Sequence, residues 1–203
     1  MIKTVVFDMG RVLIHWSADA LMDHYPLTPE DRALLNRVVF TSVQWVQLDR
    51  GSITEEAAME IFRGQLPEHL HEVARELVCF WWKQPFRFME GMEALIRELK
   101  GKGYGIYVLS NAGLPLRQYW SRLPASGCYD GVVCSAEEKL LKPQRELFDV
   151  LFRRYGLTPE TCVFIDDLPA NVEGAVYAGM QGIVFRSDTN LLRRELRLLG
   201  VDC

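Results

Sequence analysis

Five short apolar runs, each closed by a polar residue or framed by glycine, punctuate the chain. Residues 4–7 (TVVF) stop at Asp8, residues 105–109 (GIYVL) at Ser110 and Asn111, and residues 131–134 (GVVC) at Ser135. Residues 162–165 (CVFI) stop at Asp166 and Asp167, and residues 182–185 (GIVF) complete the series. Runs of this length, rich in Val and Ile and apolar at consecutive positions, are what strands covered on both faces require. Between them the spacing becomes helical: Met92, Leu95, Ile96 and Leu99 precede stops at Gly101 and Gly103, and Leu147, Phe148, Leu151, Phe152 and Tyr155 end at Gly156. Val172, Ala175 and Val176 mark a further helix before Gly179, Thr158-Pro159-Glu160 predicts a capped turn, and the signal at 115–122 is weak. Strand and helix in alternation predict a parallel sheet with right-handed crossovers.

One interval is too long for a crossover. Between residues 15 and 88 no strand pattern recurs; Thr28-Pro29-Glu30 and Ser52-Ile53-Thr54-Glu55 read as helix starts. Ala57, Ala58, Ile61 and Phe62, then Leu70, Val73, Leu77 and Val78, supply apolar spacing for helices there. The predicted fold is α/β, a Rossmann-like parallel sheet core formed by residues 1–14 and 89–203. Residues 15–88 are read as an α-helical cap inserted after the first strand.

Composition narrows the function. The 203 residues are 49% hydrophobic and 25% charged with a formal net charge of −4. These values exclude a disordered or collagen-like chain and argue against a general nucleic-acid or membrane-surface binder. The start MIKTVVFD reaches an acid at position 8, so it does not read as a signal peptide, and no apolar run approaches the length of a membrane span. Five cysteines without a CxxC pair read as reduced thiols in a cytoplasmic protein. Composition leaves small-molecule chemistry as the expectation, with no nucleic acid and no membrane as partner; oligomeric state is not legible.

In such a sheet the ligand lies beyond the carboxyl ends of the strands. Asp8, Ser110, Asn111, Asp166 and Asp167 all fall there, and so does Lys142, in KLLKP between the third apolar run and the next helix. Asp8 with Asp166 or Asp167 offers hard oxygen donors of the kind Mg²⁺ prefers. A carboxylate can also attack phosphorus, provided a cation offsets the repulsion between two anions; Lys142 is that cation, with Lys139 a competitor nearby. The Ser110 hydroxyl and neighbouring backbone N–H groups suit phosphate oxygens.

The segments VVFDMGRVL, VLSNA, LLKPQRELF and VFIDDLPANVEGA resemble, in order, the four motifs of the haloacid dehalogenase-like hydrolases. FDMG followed by VL, and DDLPANVEGA, look closest to sugar-phosphate phosphatases of the glucose-1-phosphatase type. The resemblance implies that Asp8 is nucleophile and metal ligand, and that Ser110, Asn111 and Lys142 hold the phosphate. It further implies that Asp167 and the Gly10 carbonyl ligate Mg²⁺, with Asp166 as ligand or close neighbour. The reaction implied is hydrolysis of a small phosphate monoester, such as a hexose 1-phosphate, through an aspartyl-phosphate.

Position 10 departs from that pattern. Most phosphatases of the superfamily carry there an aspartate that acts as acid and base, a function typically contributing roughly 10²–10⁴ in rate. Here the residue is Gly10, followed by Arg11 in place of a small residue. Three readings follow: a phosphatase whose substrate has an acidic leaving hydroxyl, a metal-free 2-haloacid dehalogenase, or a non-catalytic relative that binds a phospho-ligand or a protein. His15 reads first as a hinge or surface histidine, with substrate contact or replacement of the missing acid/base as the alternative. Trp16 and Trp45 read first as helical-bundle core, with the pocket lining as the alternative. Asp49-Arg50-Gly51 reads as a tight turn, with the direction of Arg50 left open.

Overall fold

The computed structural model describes residues 1–203. Five parallel strands, β1 (Thr4–Phe7), β2 (Gly105–Ser110), β3 (Gly131–Cys134), β4 (Cys162–Asp166) and β5 (Gln181–Val184), form one sheet in the order β3-β2-β1-β4-β5. The Rossmann-like α/β reading holds. Side chains alternate across the sheet: Val5, Phe7, Val108, Val163 and Ile165 pack into one apolar cluster, and Val6, Leu109, Val133 and Phe164 into another. Burial on both faces explains why these runs are apolar throughout. Edge strand β5 begins one residue earlier than its apolar run, because Gln181 pairs with Val163.

The crossovers are α6 (Met92–Gly101), the short α7 (Leu116–Tyr119) and α8 (Ser135–Glu138), α9 (Arg145–Tyr155) and α10 (Pro169–Tyr177). Gly156 ends α9 in the left-handed conformation. Thr158 does not cap a helix. Only a 3₁₀ turn, Pro159–Thr161, fits before β4, and the Thr161 hydroxyl donates to the Thr158 carbonyl instead. A C-terminal helix, α11 (Thr189–Leu198), is absent from the reading above although Asp188 caps it and Leu192 and Leu196 form its buried stripe.

Between β1 and α6 lie α1 (Ala18–Met22), α2 (Pro29–Leu35), α3 (Val43–Arg50), α4 (Glu55–Arg63) and α5 (His71–Cys79), with no strand among them. Thr28 and Asp31 form a reciprocal capping box, and Thr54 caps α4. These helices bury an apolar cluster of their own, including Met22, Leu35, Phe62 and Leu77. The buried face of α4 is Ala58, Met59 and Phe62, while Ala57 and Ile61, part of the spacing that predicted the helix, face solvent.

Candidate active site

Adjacent strand ends bring the polar residues together. Central β1 is flanked by β2 and β4, so Asp8, Ser110 and Asp166 emerge side by side at their carboxyl ends. Lys142 arrives from the loop between α8 and α9, and Asn111 holds that loop in place. The Lys142 N–H donates to Asn111 Oδ1 at 2.8 Å, and Asn111 Nδ2 donates to the Lys142 carbonyl at 3.2 Å. The Asn111 carboxamide thus positions the Lys142 backbone, and its main-chain N–H remains available to a ligand.

The Lys142 ammonium is 2.7 Å from Asp8 Oδ1 and 2.6 Å from Asp166 Oδ2, and the residue is only 4% exposed. Burial pushes its pKa down, but the two carboxylates outweigh burial and hold the ammonium above its usual range. Burial raises Asp8 to about 6, the Asp166 charge adding to the rise and Lys142 opposing it. Asp166 is fully buried and both its oxygens are occupied: Oδ1 accepts from the Leu168 N–H at 2.8 Å, and Asn171 Nδ2 donates to each oxygen at 3.1 Å. That occupancy makes Asp166 the anchor of Lys142. Asn171, unrecognised in the sequence, sits on the first turns of α10; its signal was an amide five residues after Asp166 in a predicted helix.

Asp167 lies next to this cluster and makes an ion pair of 3.2 Å with Arg11, whose side chain is 62% exposed. Burial, then the Asp166 charge, raise the Asp167 pKa, while Arg11 lowers it. Carboxylate oxygens of Asp8, Asp166 and Asp167 lie within 4.8 Å of one another, and no nitrogen or sulfur donor joins them. Buried Asp8 Oδ1 touches Lys142 but receives no aligned hydrogen bond. No backbone N–H in the surrounding loops donates to the Gly10 carbonyl. Hard oxygen donors with spare lone pairs fit a small divalent cation such as Mg²⁺.

Asp8, Gly10, Ser110, Lys142 and Asp167 line a cavity of about 290 Å³, and fully buried Asp166 is not on its wall. The helical segment contributes Trp16, Trp45 and Asp49 to the cavity wall, and Trp45 also packs against the bundle core, so the two tryptophans serve as packing and as wall. His15 lines a separate pocket with Arg87 and His24, and Arg50 is not part of the cavity wall. The turn after α3 is pressed onto the sheet core. Gly51 has φ +65°, and a Cβ there would overlap the Ala136 carbonyl. Gly51→Ala is expected to lower the denaturation midpoint, the left-handed backbone alone costing about 1–3 kcal/mol. An unchanged midpoint would show that the turn relaxes freely.

The model of the haloacid dehalogenase-like hydrolases matches residues 2–179. The chain is 27% identical to a sesquiterpene phosphatase of Aspergillus oryzae over 206 aligned positions, covering 97% of this chain and 96% of that one. It is 28% identical to a glyceraldehyde 3-phosphate phosphatase of Methanothermobacter thermautotrophicus, covering 96% and 90% of the two chains. Its fold resembles that of a haloacid dehalogenase family enzyme of Bacteroides thetaiotaomicron, crystallised with magnesium and inorganic phosphate, with a TM-score of 0.67 at 19% identity over 95% and 99% of the chains. With its motifs in order on the strand ends of this sheet, the chain belongs to the haloacid dehalogenase-like hydrolases.

Proposed function

We propose that this hydrolase cleaves small phosphate monoesters with Asp8 as nucleophile and Mg²⁺ as cofactor. The observation that carries the reading is the Lys142 ammonium held between Asp8 and Asp166 inside a cavity that Asp167 also lines. Asp8, Asp167 and the Gly10 carbonyl would hold Mg²⁺, which when bound offsets charge on the phosphoryl oxygens. Lys142 offsets the charge of the nucleophile and of the incoming phosphate. The Ser110 hydroxyl and the Asn111 main-chain N–H bind phosphoryl oxygens, since the Ala112 N–H is already committed to Ser135 Oγ at 2.8 Å. Residues 15–88 act as the cap, and their closure on residues 1–14 and 89–203 excludes bulk water.

The substrate favoured by Gly10 is a sugar phosphate such as a hexose 1-phosphate, because an anomeric hydroxyl leaves more readily than an ordinary alcohol. A second reading, an apolar leaving group, is favoured by the three tryptophans Trp16, Trp45 and Trp81 on the cavity wall. An adjoining cavity of about 330 Å³, lined by Leu48, Ile53, Val78 and Leu114 among others, extends that wall. The kinship with a sesquiterpene phosphatase points the same way. The test is phosphate release from hexose 1-phosphates and a prenyl phosphate, with Mg²⁺ and with excess chelator. Release that chelator reduces to background is the expected result, and the better substrate separates the two readings. No release from any ester, together with chelator-insensitive halide release from a 2-haloacid, would overturn the phosphatase.

A further inference from the structure

We propose that Asp49, carried by the helical segment, is the residue that exchanges a proton with the leaving group, the task for which position 10 has no side chain. The inference rests on the phosphatase reading above. It begins from the inventory of ionisable groups on the cavity wall: Asp8, Arg11, Asp49, Lys142 and Asp167. Asp8 is paired with Lys142, and Asp167 with Arg11. An arginine does not give up its proton, and Lys142 is clamped between two carboxylates. Asp49 alone among the five has neither an ion pair nor a side-chain hydrogen bond.

Its placement is built into the backbone. Asp49 follows Trp45 by four residues on α3, so both project from one helix face, and both line the cavity. The Ser135 hydroxyl donates to the Asp49 carbonyl at 2.5 Å and accepts from the Ala112 N–H at 2.8 Å. One hydroxyl thus ties Asp49 to the loop that carries Ser110 and Asn111. Two residues on, Lys139 Nζ donates to the Gly51 carbonyl, and the missing Cβ of Gly51 lets the turn sit against Ala136. The backbone on either side of Asp49 is thus fixed to the sheet core, which confines its carboxyl to the cavity wall. Burial, with the Asp8 charge adding to it and Lys142 opposing, raises Asp49 to about 8, so the metal-free site keeps this carboxyl protonated at neutral pH.

In the first step an Asp8 oxygen bonds to phosphorus and the bond from phosphorus to the ester oxygen breaks. The departing electron pair takes the Asp49 proton, releasing an alcohol and leaving Asp49 as carboxylate. In the second, water adds to phosphorus and gives a proton to Asp49, while the bond between phosphorus and Asp8 breaks with its electrons returning to Asp8. Phosphate leaves, and both side chains regain their starting states. A donor of this kind extends the enzyme to alkyl phosphates, whose leaving groups need a proton.

Asp49→Asn separates this role from a structural one when assayed on two esters, an alkyl phosphate and 2,4-dinitrophenyl phosphate. The nitrophenolate leaves without a proton. The expected result is a fall in kcat/KM of roughly 10²–10⁴ on the alkyl ester but of no more than about tenfold on the activated one. Turnover of the activated ester also reports that the variant is folded. Equal losses on the two esters, or no loss on either, would overturn the role of Asp49 while leaving the phosphatase standing. A wild-type enzyme that releases phosphate from neither ester overturns the phosphatase reading, and this inference with it.

Discussion

Asp8→Asn is expected to abolish phosphate release and, in metal-free buffer at neutral pH, to raise the melting temperature. Loss of an attacking group that forms a covalent intermediate removes the reaction path itself, so the rate falls on the order of 10⁴–10⁶-fold. The gain in stability follows from the position of the charge. Burial raises Asp8 from 3.8 to about 6, Asp166 adding to the rise and Lys142 opposing it. Between those values the folded protein holds a proton that the unfolded chain has released, so stability falls as pH rises through the window. Above it the ionised carboxylate carries the full cost of that shift, a cost that asparagine does not incur. Thermal melts of the two proteins should therefore diverge near pH 7 and converge toward about pH 4. A variant less stable than wild type at pH 7 would show that Lys142 compensates the nucleophile more fully than its burial allows.

The same features decide what could be read from the chain. Strand positions were legible because a sheet covered on both faces leaves no polar position inside a strand, and the first polar residue then marks the carboxyl end. That rule located Asp8, Ser110 and Asp166 from the amino acids alone, and the structure places them on three adjacent strand ends. Lys142 was separable from Lys139 only through the resemblance and its KP context. In three dimensions Lys142 reaches the carboxylates, while Lys139 turns to the Gly51 carbonyl.

Groups that act through long-range packing were not legible. Asp49 is 41 residues from Asp8 in the chain and reads locally as part of a turn. Nothing in DRG announces that its backbone binds Ser135 or that its carboxyl lines the cavity of the sheet core. The bonds of the Asn111 carboxamide to the Lys142 backbone were equally hidden, a use set by a loop thirty-one residues away. Trp16 and Trp45 carry a helical-core signature that does not reveal their second role, since both also line the cavity while packing against the apolar cores.

Lys142→Met is expected to be the most destabilising single change in the site, costing about 3–5 kcal/mol at neutral pH and eliminating turnover. Methionine retains the unbranched stem and its contact with the Phe164 ring, above which Nζ lies 5.2 Å from the centroid, so the loss is electrostatic and not a cavity. What remains is two buried carboxylates, Asp8 and Asp166, without the ammonium that contacts both. The Asp166 charge then raises the Asp8 pKa without the opposing ammonium. Protonation removes the repulsion, so the variant's deficit should be largest at neutral pH and should shrink as the solution is acidified. Denaturant titrations across that range measure this directly, and a deficit independent of pH would show that Lys142 supports the fold by packing. Combining the change with Asp8→Asn supplies the sharper comparison. If the two carboxylates are the cause, removing one charge restores part of what Lys142→Met takes away, and the double variant is more stable than the single one.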